Sequence, residues 1–212
     1  MEVDVHFDGP DFIVVDKPIG FTVQGDAKSS CMPLIQSQTG FEGLKVVHRL
    51  DRVTSGALIL AKHSEAANEL GQLFAHGEIE KTYWALAGSK PKKKQGWVKG
   101  GMTPARDGKW KLSRGDSGAF AKTYFSSASH SPKIRKYTLK PATGRTHQLR
   151  VAMKSLSVPI LGDPLYQSKL ESGLYDRCYL HCYQLVFQWK GQIITISIDP
   201  KSGTLWGEDS PH

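Results

Sequence analysis

The sequence predicts an α+β fold in which a mixed, mostly antiparallel β-sheet is flanked by a few helices and loops. Short apolar runs of strand length recur along the chain and are often bounded by Gly or Pro. Two stretches instead repeat apolar residues at helical spacing. With 39% hydrophobic residues the chain is typical of a globular protein, and its length suits one domain over residues 1–212.

The first half of the chain predicts two buried strands joined by a loop. Residues 11–17 contain the apolar run Phe-Ile-Val-Val and are followed by Pro18 and Gly20, and residues 56–61 form another apolar run. Residues 21–44 are rich in Gly, Ser, Gln and Thr, which predicts a loop with short elements.

A helix is predicted directly after the second of these strands. Ser64 is suited to cap it, and Leu70, Leu73 and Phe74 form an apolar stripe. Gly77 is expected to end it, because glycine readily adopts the left-handed backbone of a helix C-terminus.

The second half of the chain predicts strands, hairpins and one short helix. The helix is expected after Gly144, with Leu149, Met153 and Leu156 facing inward. The expected strands and hairpins are, in order, a strand at 82–87, hairpins and loops at 90–118, strands at 119–125 and 134–139, and a closing hairpin of strands 179–187 and 192–198 that turns at Lys190 and Gly191.

Composition argues against a membrane protein and a secreted one. No apolar run approaches the roughly 20 residues of a membrane-spanning helix. The acidic N-terminus lacks the basic and then apolar layout of a signal peptide, and three cysteines cannot all pair. We therefore expect a cytoplasmic protein that contacts no membrane.

Positive charge is concentrated in one segment of the chain. Residues 81–140 carry 12 Lys and 3 Arg against two Asp, a net charge of +13, whereas the whole chain carries +8. Such a segment favours binding of a polyanion, chiefly a phosphate backbone; the alternative is a solvated loop that only aids solubility. Trp97, Trp110 and Tyr124 lie within it, and aromatic rings among cations are able to stack on bases.

The densest group of candidate chemical residues is His-Arg-Leu-Asp-Arg-Val-Thr-Ser-Gly at residues 48–56. Asp51 is flanked by Arg49 and Arg52 and lies just before an apolar strand. Neighbouring cations favour an ionised carboxylate, which predicts a base or a nucleophile at Asp51. An isolated Arg-Leu-Asp triplet would more often be a structural ion pair in a loop.

A second group, Gly-Arg-Thr-His-Gln-Leu-Arg, occupies residues 144–150. If the chain is helical from Thr146 onward, His147 and Arg150 share a face and are able to bind a carboxylate or a phosphate near the helix start. The alternative is an amphipathic helix with a solvated basic face.

No metal site is expected from the sequence. Cys178, His181 and Cys182 are close together, but they lie in an apolar strand without a fourth ligand nearby. His181 is therefore interpreted as a core histidine.

Together these segments resemble the RluA-type family of pseudouridine synthases. The resemblance spans roughly residues 10–200, in the family's order. The residues that carry it are the motifs at 48–56 and 144–150, Lys-Thr-Tyr-Trp-Ala at 81–85, Pro-Ile-Leu-Gly-Asp-Pro-Leu-Tyr at 159–166, Asp-Lys-Pro-Ile-Gly at 16–20, and Leu-His at 180–181.

The resemblance implies roles for individual residues. Asp51 corresponds to the catalytic aspartate, Tyr83 to the tyrosine that stacks on the target base, and Arg150 to the arginine that pairs with the aspartate. Arg49 resembles an arginine that helps to displace and hold the target nucleotide. No cofactor is implied. The remaining candidates for RNA contacts in the two motifs are His48, Arg52, Arg145, His147 and Gln148.

The chain departs from the family pattern in two places. Many relatives carry an additional RNA-binding domain of the S4 type, whereas this chain starts almost directly at the catalytic domain. Target selection is therefore expected to come from the catalytic domain itself. The basic insertion at about residues 90–118 is less typical of the family, and its Lys92, Lys93 and Lys94 are candidate phosphate contacts.

The expected function is isomerisation of uridine to pseudouridine in structured ribosomal or transfer RNA, by a monomer that needs no protein partner. The target nucleotide is extruded, and Asp51 then acts on it as a nucleophile or as a base. Two alternatives are a non-catalytic RNA-binding protein of the same fold and an N-glycosidase that releases uracil. A single acid in a cationic setting disfavours glycoside hydrolysis, which usually uses two carboxylates.

Overall fold

The computed structural model describes residues 3–26, 28–88, 90–113 and 118–207. The chain divides into two compact units: the first contains residues 1–81 and 182–199, and the second residues 82–181 and 200–212. The strands and helices are, in chain order, β1 (Val5–Asp8), β2 (Phe12–Lys17), α1 (Met32–Thr39), β3 (Lys45–Val46), β4 (Ser55–Ala61), α2 (Ser64–His76), β5 (Glu80–Ala87), β6 (Gln95–Pro104), β7 (Trp110–Ser113), β8 (Ala119–Ser131), β9 (Ile134–Pro141), α3 (Gln148–Ser155), α4 (Lys169–Ser172), β10 (Leu180–Trp189) and β11 (Gln192–Ser197).

The first unit is built on antiparallel strand pairs. Strand β2 pairs with β1 and β4, β3 pairs with β4, and β11 pairs with β10. All seven residues of β4 are buried, as are five of the six in β2. Both strands are continuous apolar runs because both of their faces are covered. The strands predicted at residues 11–17 and 56–61 are thereby confirmed.

The helices of the first unit correct one expectation. The stretch predicted as loop with short elements contains one such element, the eight-residue helix α1, which has a proline in its first turn and buries Ile35. The N-cap of α2 is His63 rather than Ser64, and its side chain accepts a hydrogen bond from the backbone N–H of Ala66. Gly77 ends α2 in the left-handed conformation (φ 74°), as predicted.

The hairpin of β10 and β11 is confirmed, and its turn is tied to the start of β2. Lys190 and Gly191 both have positive φ, which matches the favoured two-residue hairpin turn. Asp11 accepts hydrogen bonds from Lys190 Nζ and Trp189 Nε1, each at 2.9 Å. These two bonds, together with one from His63, lower the pKa of Asp11 to about 2.

The second unit contains an antiparallel sheet in the order β5-β9-β8-β6-β7. The strands predicted at 119–125 and 134–139 are confirmed as parts of β8 and β9, and the hairpins predicted within 90–118 are confirmed as β6 and β7. Residues 114–117 of that stretch lie outside the described part of the chain.

The register of this sheet assigns its side chains to two faces, because cross-strand neighbours point to the same side. On the core face, Tyr83 is opposite Leu139 and Leu139 is opposite Phe125, and all three are buried. On the other side, Trp97 is opposite Tyr124 and Tyr124 is opposite Lys140. We call this second side, which carries Trp97, Tyr124 and Lys140, the open face.

The core face is closed by α3. Met102 and Ala121 of the sheet form a buried cluster with Val151 of α3 and with Tyr166. Trp110, which the sequence placed among the candidates for base stacking, packs against this cluster. Trp110 therefore lies on the core side of the sheet, and base stacking by its half-buried ring stays a prediction. No helix within the described residues is long and apolar enough to span a membrane.

Candidate active site

The loop at residues 47–54 places Asp51 on a turn with a fixed backbone. The N–H of Thr54 donates to the carbonyl of Asp51 at 2.9 Å and closes the turn. Arg52 and Gly20 exchange two hydrogen bonds: the Gly20 N–H donates to the Arg52 carbonyl, and Arg52 Nε donates to the Gly20 carbonyl, both at 2.8 Å. On the N-terminal side of Asp51, the buried side chain of Leu50 anchors the turn in the core. Asp51 itself is half-buried.

The end of this motif requires glycine. Gly56 has φ 108°, and a Cβ at this position would collide with the backbone of Cys182. Because no side chain fits there, Gly56 lets the loop enter β4 directly beside β10. The close approach of these two strands therefore helps to fix the position of Asp51.

His48 supports the loop from within. Its Nε2 accepts a hydrogen bond from the backbone N–H of Ile59 at 2.9 Å, and its ring stacks on Phe74 with centroids 4.2 Å apart. Burial, and to a lesser extent the charge of Lys81, lower the pKa of His48 to about 3. The ring is therefore neutral at physiological pH, which gives His48 a structural role; a direct RNA contact by His48 stays a prediction.

The two arginines beside Asp51 are both exposed. Arg52 is held by its bond to Gly20, and Arg49 lies on the other side of buried Leu50 in the sequence. Binding of a phosphate by either arginine stays a prediction.

The second motif lies in the second unit and begins before its helix. His147 is the N-cap of α3, with a left-handed backbone (φ 57°), and the helix starts at Gln148. The interpretation that His147 and Arg150 share a helical face is therefore wrong, because His147 lies outside the helix. His147 Nδ1 is instead 2.9 Å from the hydroxyl of Tyr166, which also accepts a hydrogen bond from the N–H of Trp110.

Gln148 binds the motif to the neighbouring strand. Its Oε1 accepts from Thr143 Oγ1 (2.7 Å) and from the N–H of Arg145 (2.9 Å). Its Nε2 donates to the carbonyl of Lys122 and to Thr123 Oγ1. The side chain is buried, and its donors and acceptors are all used inside the protein. A contribution of Gln148 to RNA binding would therefore act through the shape of this loop.

Arg150 is buried and bound by a carboxylate that the sequence did not single out. Its Nε donates to Asp163 Oδ2 and its Nη2 to Asp163 Oδ1, both at 2.8 Å. The guanidinium lies 5.1 Å from the centroid of the Tyr166 ring. The pairing of Arg150 with Asp51 that the family resemblance implies stays a prediction.

Asp163 is itself held rigidly. It is fully buried, and its Oδ1 also accepts from the backbone N–H groups of Leu165 (2.9 Å) and Tyr166 (3.1 Å). A two-bond ion pair of this kind fixes the plane of the guanidinium as well as its charge. The signal for Asp163 was present in the motif at residues 159–166, where a lone acid follows a glycine in an apolar run.

Tyr83, the remaining candidate for catalysis, is in β5 and is 8% exposed. Its neighbours on the core face, Leu139 and Phe125, are apolar. The ring is therefore largely buried on the core face, and its stacking on a base stays a prediction.

The residues of the basic insertion are mostly exposed. Lys92, Lys93 and Lys94 form an exposed bend before β6, and the carbonyl of Lys94 accepts from the N–H of Ser127. Arg145 is also exposed, and its Nε donates to the carbonyl of Phe120.

One group of possible metal ligands occurs in the described part of the chain, at a place that the sequence did not indicate. One ligand atom each from Asp4, His6 and Asp16 lies within 4.8 Å of the others. Asp4 and His6 are exposed, and such clusters are common without an ion. None of the three was a candidate for the site.

The chain is similar to a known protein family and to several known proteins. A family model for RNA pseudouridylate synthase matches residues 11–155. An uncharacterized RNA pseudouridine synthase of Haemophilus influenzae is 45% identical, over 97% of this chain and 91% of the relative. A ribosomal large subunit pseudouridine synthase C of Rickettsia bellii is 32% identical, over 87% of this chain and 63% of the relative.

The fold is also similar to that of a solved structure. Human RNA pseudouridylate synthase domain containing 1 superposes with a TM-score of 0.79, over 93% of this chain and 83% of the human chain. The identity is 23%, so this likeness concerns the fold alone.

Proposed function

Because the chain belongs to the RNA pseudouridylate synthase family, which makes it an isomerase acting on RNA, we propose that Asp51 is its catalytic carboxylate. The observation that carries this proposal is the place of Asp51: a half-buried acid on a turn that backbone hydrogen bonds hold on one side and buried Leu50 on the other. A carboxylate that must meet one atom of an extruded nucleotide needs such a fixed position.

The reaction defines what the residues must supply. The bond from ribose C1′ to N1 of uracil breaks, the base rotates, and a bond from C1′ to C5 forms. C5 loses its proton and N1 gains one, so no oxidant or reductant takes part. Asp51 acts at the sugar, as a nucleophile or as a base, and regains its charge at the end of the cycle.

We assign supporting roles to Tyr83 and Arg150. Tyr83 stacks on the detached base and assists removal of the C5 proton, while Arg150 keeps Asp51 ionised and oriented. The pairing with Asp163 supports the second assignment, because it gives Arg150 one defined orientation in a buried setting. Arg49, Arg52, Arg145 and His147 are proposed to bind the phosphates around the target.

The RNA is proposed to be ribosomal, with transfer RNA as the alternative. The Rickettsia bellii relative is named for the large ribosomal subunit, and this supports the choice. We propose that the chain acts as one catalytic domain, since the family match at residues 11–155 includes parts of both compact units. A monomeric, cytoplasmic enzyme is in keeping with this assignment.

The test is release of tritium from RNA labelled at uridine C5, with RNA from cells that lack this gene. The wild-type chain should release tritium, and Asp51→Asn should lower the rate by more than about 1,000-fold, or about 4 kcal/mol. Asp199→Asn, which neutralises an exposed acid, is the matched control and should retain full activity.

Two results would overturn the assignment. Turnover of Asp51→Asn near that of wild type would remove Asp51 from the reaction. Free uracil among the products would identify an N-glycosidase instead, and no tritium release from any RNA pool would favour a non-catalytic RNA-binding protein.

A further inference from the structure

We propose that the open face of the second unit is a stacking platform for single-stranded RNA, which holds unpaired nucleotides other than the uridine that reacts. The proposal rests on the proposed function only in taking RNA as the substrate. It adds a binding surface on the side of the sheet opposite to Tyr83.

The platform is a row of aromatic rings along β6 and β8. Trp97 and Tyr124 are opposite each other, with ring centroids 5.3 Å apart in a T-shaped arrangement. Phe120 lies four residues before Tyr124 on the same face and is opposite Gly101, which leaves its ring uncovered. At 3.3–3.4 Å per residue, Phe120 and Tyr124 are about 13 Å apart, the length of a few extended nucleotides.

These rings are exposed although they are large and apolar. Trp97 is 49% exposed and Phe120 is 53% exposed. The side chains of β6 and β8 on the core face, such as Met102 and Phe125, are by contrast buried. Exposed aromatic rings gathered on one face indicate a binding site more than a packing defect.

The charge around the rings fits a nucleic acid. The ammonium of Lys122 lies 4.3 Å from the centroid of Trp97, and that of Lys99 lies 5.8 Å from it. Lys140 follows on β9, and Lys136 lies 4.1 Å from the ring of Trp84. Strands β6, β7, β8 and β9 contain no Asp or Glu. A base stacked on these rings would have its phosphate next to a cation.

The arrangement of the lysines opposes folding, which points to a function. Lys99 and Lys122 are directly opposite each other in the register of β6 and β8. Like charges in that position destabilise an antiparallel pair. Two lysines that served only solubility would destabilise the sheet less if they were not directly opposite each other. A phosphate bound between them would neutralise the repulsion.

The platform is joined to the second motif by hydrogen bonds. Arg145 Nε donates to the carbonyl of Phe120 at 3.1 Å, and the N–H of Lys122 donates to Thr143 Oγ1 at 3.0 Å. The motif that carries Arg150 is therefore attached to the strand that carries Phe120 and Lys122. An RNA strand bound at Arg145 would therefore lie close to the residue that begins the row of rings, Phe120.

Single-stranded RNA is the occupant that this chemistry favours. A duplex keeps its bases stacked inside and presents mainly phosphates and riboses. It would therefore contact the lysines without stacking on the aromatic rings. Unpaired bases offer a flat surface for each ring and a phosphate for each lysine.

The test uses a fluorescently labelled, uridine-rich 12-nucleotide RNA and the full chain, with binding followed by anisotropy. Trp97→Ala and Phe120→Ala should each weaken binding about tenfold. Ile193→Ala removes a side chain that is 78% exposed on β11 and is the matched control, with unchanged affinity. Circular dichroism should show that all three variants remain folded.

The lysines are tested by salt dependence and by stability. Lys99→Gln should reduce the slope of log K against log salt by about 0.7 and should not lower Tm, because it removes a repulsion. Lys169→Gln, at an exposed lysine of α4, is the control and should change neither quantity.

The outcomes separate this proposal from the assignment of Asp51. In tritium release, Trp97→Ala should raise KM and leave kcat unchanged at saturating RNA. Wild-type affinity in Trp97→Ala and Phe120→Ala would overturn the platform while leaving the isomerase intact. Equal affinity for the same 12-mer in a duplex would show that the rings do not stack on bases. Weakened binding in a chain that never releases tritium would refute only the proposed function.

Discussion

Removal of the Asp163 carboxylate should destabilise the protein strongly, because it leaves a buried guanidinium without this partner. Arg150 is 3% exposed and Asp163 is fully buried, so neither charge is well solvated. Breaking a buried ion pair from one side costs about 3–5 kcal/mol. Asp163→Ala also removes the acceptor for the N–H groups of Leu165 and Tyr166, which places the expected loss near the upper end.

The expected loss is comparable with the whole stability of many domains, so a milder variant is needed. Asp163→Asn keeps an oxygen for the backbone donors, but it removes the charge and replaces the oxygen that accepts from Arg150 Nε by an NH2 group. It should cost about 2–3 kcal/mol. Asp199→Ala, at an exposed acid, should cost less than about 0.5 kcal/mol and serves as the control.

The assay is urea unfolding followed by circular dichroism, with the free energy of unfolding compared among the variants. A loss below about 1 kcal/mol for Asp163→Ala would refute the reasoning, since it would mean that Arg150 needs no carboxylate at this place. The double variant Arg150→Met with Asp163→Leu should recover the part of the loss that comes from the unpaired guanidinium, because buried pairs are often replaced by apolar side chains at little cost. The N–H groups of Leu165 and Tyr166 still lose their acceptor, so the recovery should be partial. It should nevertheless remain inactive, because Arg150 is proposed to act on Asp51.

Two further predictions concern the first unit. Gly56→Ala should cost about 2–5 kcal/mol of unfolding free energy and lower activity, because Gly56 has φ 108° and a new Cβ would meet the backbone of Cys182. Gly43→Ala is the control: a Cβ there has open space, so the same unfolding assay should show almost no change. Hydrogen bonds from Lys190 and Trp189 lower the pKa of Asp11 from an ordinary 3.8 to about 2. The ionised carboxylate therefore stabilises the folded state by about 2 kcal/mol above pH 4, and this stability is lost as the pH falls from 4 to 2. Between pH 4 and pH 2, the free energy of unfolding should change less with pH for Asp11→Asn than for wild type. An equal pH dependence of the two proteins would contradict the prediction.

Several elements were predictable from the sequence because their signals are local. Gly77 and Gly191 adopt positive φ, which glycine tolerates far better than other residues, so the helix end and the hairpin turn were found at the correct positions. The continuous apolar runs of β2 and β4 were likewise sufficient to predict buried strands.

Other features were missed because they depend on distant partners. His63 rather than Ser64 caps α2, and the His63 ring also meets Asp11, which is 52 residues away. His147 was expected in the helix, but its bond to the Tyr166 hydroxyl accompanies a left-handed backbone outside it. Neither partner could be inferred from spacing along the chain.

The order and chemistry of the motifs determined, without any structure, the family of this protein and the acid on which its reaction is proposed to depend. Such motifs are readable because catalysis needs particular residue types at short spacing. Only the tertiary structure decided that Asp163 orients Arg150, that His48 is a neutral support, and that Trp97 and Phe120 face outward while Trp110 faces the core. The reason is that strand register determines the face on which a side chain lies, and long-range hydrogen bonds determine its partner. Neither the face nor the partner could be predicted from the sequence pattern of the basic strands.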